Sequence, residues 1–102
     1  MAGDEGQKVV FLKKDMGLSH REFFASLATL AREVPCQVSD SGAILEYDSG
    51  ELHIGLGPEN QRQLGLIKLP QIWVSLEFRN LSKVQRALFL ERFDLAFRRG
   101  GG

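Results

Sequence analysis

The sequence predicts an α+β domain, with a curved single-layer antiparallel sheet and two helices packed on one face, in the order β-α-β-β-β-β-α. Three observations predict it. Two segments, Ser19–Glu22 and Ser82–Gln85, have the spacing of a capping box and precede apolar residues at helical intervals. Between them, residues 43–79 contain strand-like runs with apolar side chains on one face, alternating cleanly over 71–79, broken by Gly, Pro, Asn and Asp. The chain of 102 residues has room for one core only. Residues 1–7 are expected to be a flexible N-terminal segment, 8–99 the single domain, and 100–102 a glycine tail.

Lys8–Lys13 is a short apolar run bounded by charge and is expected to be the first strand. Ser19 then opens a helix, with Leu18 and Phe23 as its hydrophobic staple. Phe23, Leu27, Leu30 and Val34 form one stripe of that helix, flanked by Phe24, Ala28 and Ala31. Pro35 disfavours helical geometry at Val34 and so ends it. Ala43–Tyr47 and Glu51–Leu56 form a hairpin, whose loop needs Gly50 at positive φ. Gly57-Pro58-Glu59-Asn60 is a turn. A second hairpin joins Gln63–Lys68 to Gln71–Arg79 through a bend at Leu69-Pro70. In its last strand Ile72, Val74, Leu76 and Phe78 face inward and Gln71, Trp73, Ser75, Glu77 and Arg79 outward. The final helix runs from the Ser82 cap through Arg99, and Gly100 stops it. In topology alone this order resembles the repeating half of TATA-binding-protein-like folds; no motif accompanies the likeness, and a fold does not carry a function.

Composition excludes several classes. Hydrophobic residues make up 43% and charged residues 25%, which is globular rather than disordered. The polar, acidic start and the lack of a long apolar run predict neither a secretory signal nor a membrane span. With a single cysteine and no export signal, the expected location is cytoplasmic. Net charge is zero, which disfavours nucleic-acid binding. The charge is nonetheless polarised: Asp40, Glu46, Asp48, Glu51 and Glu59 fall in a stretch without Lys or Arg, and basic residues prevail from Gln61 onward. Acidic and basic parts can therefore face each other, within one chain or across a dimer.

No catalytic constellation is recognisable, so a non-enzymatic role is favoured and no cofactor or metal is expected. Cys36 follows a helix C-terminus, which opposes thiolate formation, and His20 and His53 lie at no metal-ligand spacing from it. "GLGPEN" at 55–60 lacks the further residues and the following helix of a phosphate loop. The terminal glycines suit a sulfur carrier or protein modifier, but follow a helix rather than a strand. That reading is a minor alternative, as is a small-molecule binder with an apolar pocket lined by Phe24, Phe89, Phe93 and Phe97.

The favoured reading is a small interaction protein that binds a protein partner or itself. Its expected contact residues are Trp73, His53, Glu77 and Arg79 on the outer sheet face, with Phe89, Phe93 and Phe97 on the last helix. Trp73 stands among polar neighbours there, and a large ring with few rotamers is an effective anchor. The last helix has two apolar stripes. Val84, Leu88 and Leu95 are expected to pack on the sheet. Phe89, Phe93 and Phe97 are expected to meet either the first helix or another subunit.

Overall fold

Among residues 9–32 and 34–101, which a computed structural model describes, the elements follow the chain in this order. They are β1 (Val9–Met16), α1 (His20–Leu30), β2 (Cys36–Ser39), β3 (Gly42–Glu46), β4 (Glu51–Leu56), β5 (Asn60–Leu64), β6 (Ile67–Arg79) and α2 (Lys83–Gly101). The segment expected to be flexible, 1–7, lies outside the described residues, as do Lys8 and Gly102. The fold is α+β. All strand pairs are antiparallel, in the spatial order β1-β6-β4-β3-β2, with β5 pairing β6 off that path. Strands of the main path occur along the chain in the expected β-α-β-β-β-β-α order, and the sheet stays open, with β1 and β2 at its edges.

Both capping boxes form. Ser19 Oγ accepts from the Glu22 amide at 3.1 Å, and the Glu22 carboxylate accepts from the Ser19 amide at 2.9 Å. Ser82 and Gln85 repeat the exchange at 3.1 and 2.8 Å. Each box satisfies amides that a helix start leaves without partners. The staple residues Leu18 and Phe23 are both buried.

Several local expectations change. α1 ends at Leu30, with Ala31 as its cap, so Val34 lies beyond it and Cys36 opens a strand that the residues Cys-Gln-Val-Ser did not announce. β1 reaches Met16 rather than ending at Lys13. The second hairpin turns at Gly65-Leu66, between the paired residues Leu64 and Ile67, and not at Leu69-Pro70. Gly65 has φ 63°, which suits the first central position of a type II′ turn. Pro70 sits inside β6 opposite Gln61, on a two-stranded ribbon where a missing N–H is tolerated. Gly50 does not take positive φ; Asn80 does, at 58°, in the link to α2. α2 runs through Gly101, so Gly100 does not end it.

The core fills the space between the sheet and the two helices. Leu45, Leu52, Ile54, Ile72, Val74, Leu76 and Phe78 from the sheet meet Phe23, Leu27 and Leu30 of α1 and Phe89, Phe93 and Phe97 of α2. Of the two stripes of α2, the phenylalanine stripe meets α1, one of its two expected partners, and the sheet as well, whereas the stripe expected on the sheet does not reach it. The phenylalanines face inward, and Val84, Leu88 and Leu95 are exposed. Aromatic packing decides this: Phe97 lies 4.8 Å from Phe23 and 4.3 Å from Phe93, and Phe89 lies 5.9 Å from Phe78, centroid to centroid. Rings bury more area per residue than Val or Leu and gain from tilted and edge contacts. Lys14 of β1 crosses the edge of this layer, with its ammonium 5.7 Å from the Phe93 ring and 3.8 Å from Asp94, tying β1 to α2.

Candidate functional site

Among the described residues both helices lie on one face of the sheet, and the opposite face is the candidate site. Strict alternation along β6 puts Trp73, Ser75, Glu77 and Arg79 there, while the residues between them are fully buried. Register then sets their neighbours. His53 of β4 stands opposite Glu77, and Glu51 opposite Arg79. On the other side Phe11 stands opposite Glu77, Lys13 opposite Ser75, and Asp15 opposite Trp73. The structure thus brings Trp73, His53, Glu77 and Arg79 onto one surface. Phe89, Phe93 and Phe97 are not part of it: at 3%, 1% and 6% exposure they belong to the core behind the sheet.

The polar groups of the face hold one another in place. Arg79 donates to the Glu77 carboxylate at 2.6 Å, and a His53 ring nitrogen lies 2.7 Å from Glu51. Lys13 sits over the Trp73 ring at 5.5 Å, a cation–π contact that steadies the indole without covering it. Trp73 remains 45% exposed and Phe11 60%. Asp15 accepts from Arg62 at 2.7 Å and from Gln71 at 2.8 Å. Those bonds, the Arg62 contact foremost, hold its carboxyl below the usual carboxylate value. They also place Arg62 and Gln71 on the same face as Asp15.

Alternation carries the face beyond the main sheet. Leu69 and Ile67 have the same parity as Trp73, and Leu64 pairs with Ile67 at the end of the β5–β6 ribbon. All three are exposed, as is Val9 at the far end of β1. Sequence reasoning found Trp73 and missed Val9, Phe11, Leu64, Ile67 and Leu69. The signal for Phe11 was present in the apolar run of β1, but its facing direction depends on a register with β6 that the run does not contain.

The other candidates resolve differently. Phe23, Phe93 and Phe97 pack ring against ring between the helices and the sheet, and Phe93 and Phe97 also border an open groove with Lys14, Met16, Leu18 and Asp94. Phe24 instead borders a shallow apolar groove on the surface with Ala28, Ala31, Arg32 and Val38. His20 binds the 57–59 connection, its ring nitrogen 2.7 Å from the Gly57 carbonyl and its amide donating to Glu59 at 2.9 Å. Among the described residues no group of three or more His, Cys, Asp and Glu is placed to hold a metal, and no helix is long and apolar enough to cross a membrane.

Cys36 is half-buried, and burial pushes its thiol above the ordinary value. Its thiolate fraction at neutral pH is lowered accordingly. Alkylation of the folded protein by iodoacetamide at pH 7 is expected to run more slowly than that of a free cysteine derivative. A faster rate would reveal a thiolate-stabilising neighbour and reopen a reactive role.

Fold and surface together define an α+β domain in which, among the described residues, one sheet face is covered by helices and the other exposes aromatic and aliphatic side chains. No protein-family model matches the chain, and no relative was found among curated proteins or solved structures, so the topological likeness to TATA-binding-protein-like folds gains no support.

Proposed function

We propose that this protein is an interaction module that binds a protein partner, or a second copy of itself, through the uncovered face centred on Trp73. One observation carries the reading: Trp73 and, four residues along the register, Phe11 both stand exposed on a sheet face that the helices among the described residues leave open. Burying such rings inside a rim of charged groups yields much binding free energy for few ordered torsions. Glu51, Glu77 and Arg79 form part of that rim, and orient the partner more than they hold it. Cytoplasmic location and the absence of a nucleic-acid role belong to the same proposal, supported by the neutral charge and the single cysteine.

The test is Trp73→Ala in the N-terminally tagged full chain, recovered from its own cells and examined by native mass spectrometry. Wild type is expected as a dimer or as a complex with a second protein. The variant is expected as a monomer, its stability changed by less than about 1 kcal/mol because the ring is half exposed. Wild type recovered as a bare monomer, or a variant that unfolds with no separate effect on association, would overturn the proposal.

A further inference from the structure

The β5–β6 ribbon presents a physical problem. A two-stranded ribbon with water on both faces is marginally stable. Every residue of β5 is exposed, and Leu66 at the turn is 100% exposed, with Ile67 at 60% and Leu64 at 57%. This arm, apolar at Leu64, Ile67 and Leu69, extends the face that carries Trp73, and β6, its shared spine, runs six residues to either side of Trp73.

We infer that the occupant of the face is a second copy of this chain, stacked sheet to sheet about a two-fold axis through Trp73, so that each copy's arm covers the other's main sheet. The inference rests on the proposed function and names its partner. Rotation about Trp73 exchanges the two ends of β6. Leu69 then lies over the row of Phe11, Glu77 and His53 in the other copy, and Ile67 and Leu64 over the row of Val9, Arg79 and Glu51. The apolar side chains left bare on the arm meet those left bare beside β1, and each copy supplies what the other lacks. The two tryptophans meet at the axis.

Charge agrees with this arrangement. The arm carries Arg62 and Lys68, and residues 60–76 contain no carboxylate. On the outer face the arm contributes Arg62, level with Leu69, and no carboxylate. Beyond Trp73 the face holds Glu46, Glu51 and Glu77 against Lys13 and Arg79, a net negative set. The two-fold brings opposite signs together at both ends, and a parallel stacking would bring like signs together. Size agrees as well. Thirteen residues of β6 span about 40 Å, and a strip two to five strands wide gives on the order of 700 Å² per copy, close to the ~800 Å² of a stable interface. Aligned sheets pack about 10 Å apart, a gap that Trp, Phe and Leu side chains from both faces can fill.

The experiment uses the purified full chain. Sedimentation equilibrium is expected to show a dimer, and Leu69→Glu to raise its dissociation constant at least about tenfold. Geometry is read by cross-linking in a Cys36→Ser background with a short bismaleimide, because a direct disulfide cannot span sheets about 10 Å apart. Ile67→Cys and Glu51→Cys, mixed and then treated with the reagent, are expected to give a cross-linked heterodimer, whereas neither alone cross-links because like positions lie at opposite ends. A dimer that ignores Leu69→Glu, or a mixture that fails to cross-link, would overturn the two-fold arrangement. A purified wild type that stays monomeric, alongside a Trp73-dependent complex with a different protein in cells, would overturn this inference and leave the proposed function standing.

Discussion

Phe93→Ala is expected to lower the unfolding free energy by about 3–5 kcal/mol, the range for losing a buried aromatic ring. Phe93 is 1% exposed and sits where α2 meets both α1 and the sheet. Its ring centroid lies 4.3 Å from Phe97, 5.5 Å from Phe89 and 6.4 Å from Phe23, so removing it opens a hole shared by both helices. The neighbouring rings are held by their own helices and cannot all collapse into the gap. The cavity cost therefore adds to the lost transfer free energy. A domain of this size has only about 5–15 kcal/mol in total. Phe93→Leu should recover much of the loss by refilling part of the volume. Leu95→Ala, two residues on and 55% exposed, is the matched control and should change stability by less than about 0.5 kcal/mol. Urea unfolding of the three variants checks this. If Leu95→Ala costs more than Phe93→Ala, the inward stripe of α2 has been assigned the wrong way round.

That stripe marks where the sequence stops being sufficient. Val84, Leu88 and Leu95 have helical spacing as good as that of Phe89, Phe93 and Phe97, and periodicity alone does not rank two stripes. What ranks them is the cluster of rings already contributed by Phe23 and Phe78, which exists only once the elements have met. Features written within a few residues were legible. Both capping boxes, the hydrophobic staple and the inward set Ile72, Val74, Leu76 and Phe78 follow from local hydrogen bonding and strand parity. Features set by pairing were not. Cys36–Ser39 becomes a strand because β3 offers it an edge, with Gln37 opposite Ile44 and Val38 opposite Ala43. The turn at Gly65 was hidden by Pro70, which punctuates a sequence strongly but costs little on a ribbon with an open edge. On the candidate face, Trp73 was visible by its own alternation, and Phe11, Ile67 and Leu69 became its companions only through the registers of β1 and β5 with β6.

Gly50→Ala is expected to cost about 3 kcal/mol, the upper part of the range for overpacking a filled site, and for a reason the hairpin pattern did not contain. A loop glycine is ordinarily read as a demand for positive φ, but Gly50 does not use that freedom. It uses the absence of a side chain. A Cβ at this position would fall 1.9 Å from the Arg79 carbonyl oxygen and 2.9 Å from the carbonyl carbons of Arg79 and Asn80. All three are backbone atoms, so no rotamer change relieves the clash. Relief requires the 47–50 connection to lift away from the end of β6. That strains the bond from the Tyr47 amide to the Gly50 carbonyl at 2.9 Å and displaces Asn80, whose φ of 58° aims the chain into α2. Leu81, buried beside that link, would shift with it. Gly65→Ala separates the two causes. Its Cβ would meet nothing within 4 Å, yet φ is 63°, so it should cost only the ~1–2 kcal/mol of left-handed backbone strain. Denaturant midpoints measure both, and amide exchange locates the damage. Gly50→Ala should loosen the amides around residues 79–82, and Gly65→Ala those of the arm alone. Equal costs, with exchange changed only in the 47–50 connection, would mean that β4 does not begin against the Arg79 carbonyl.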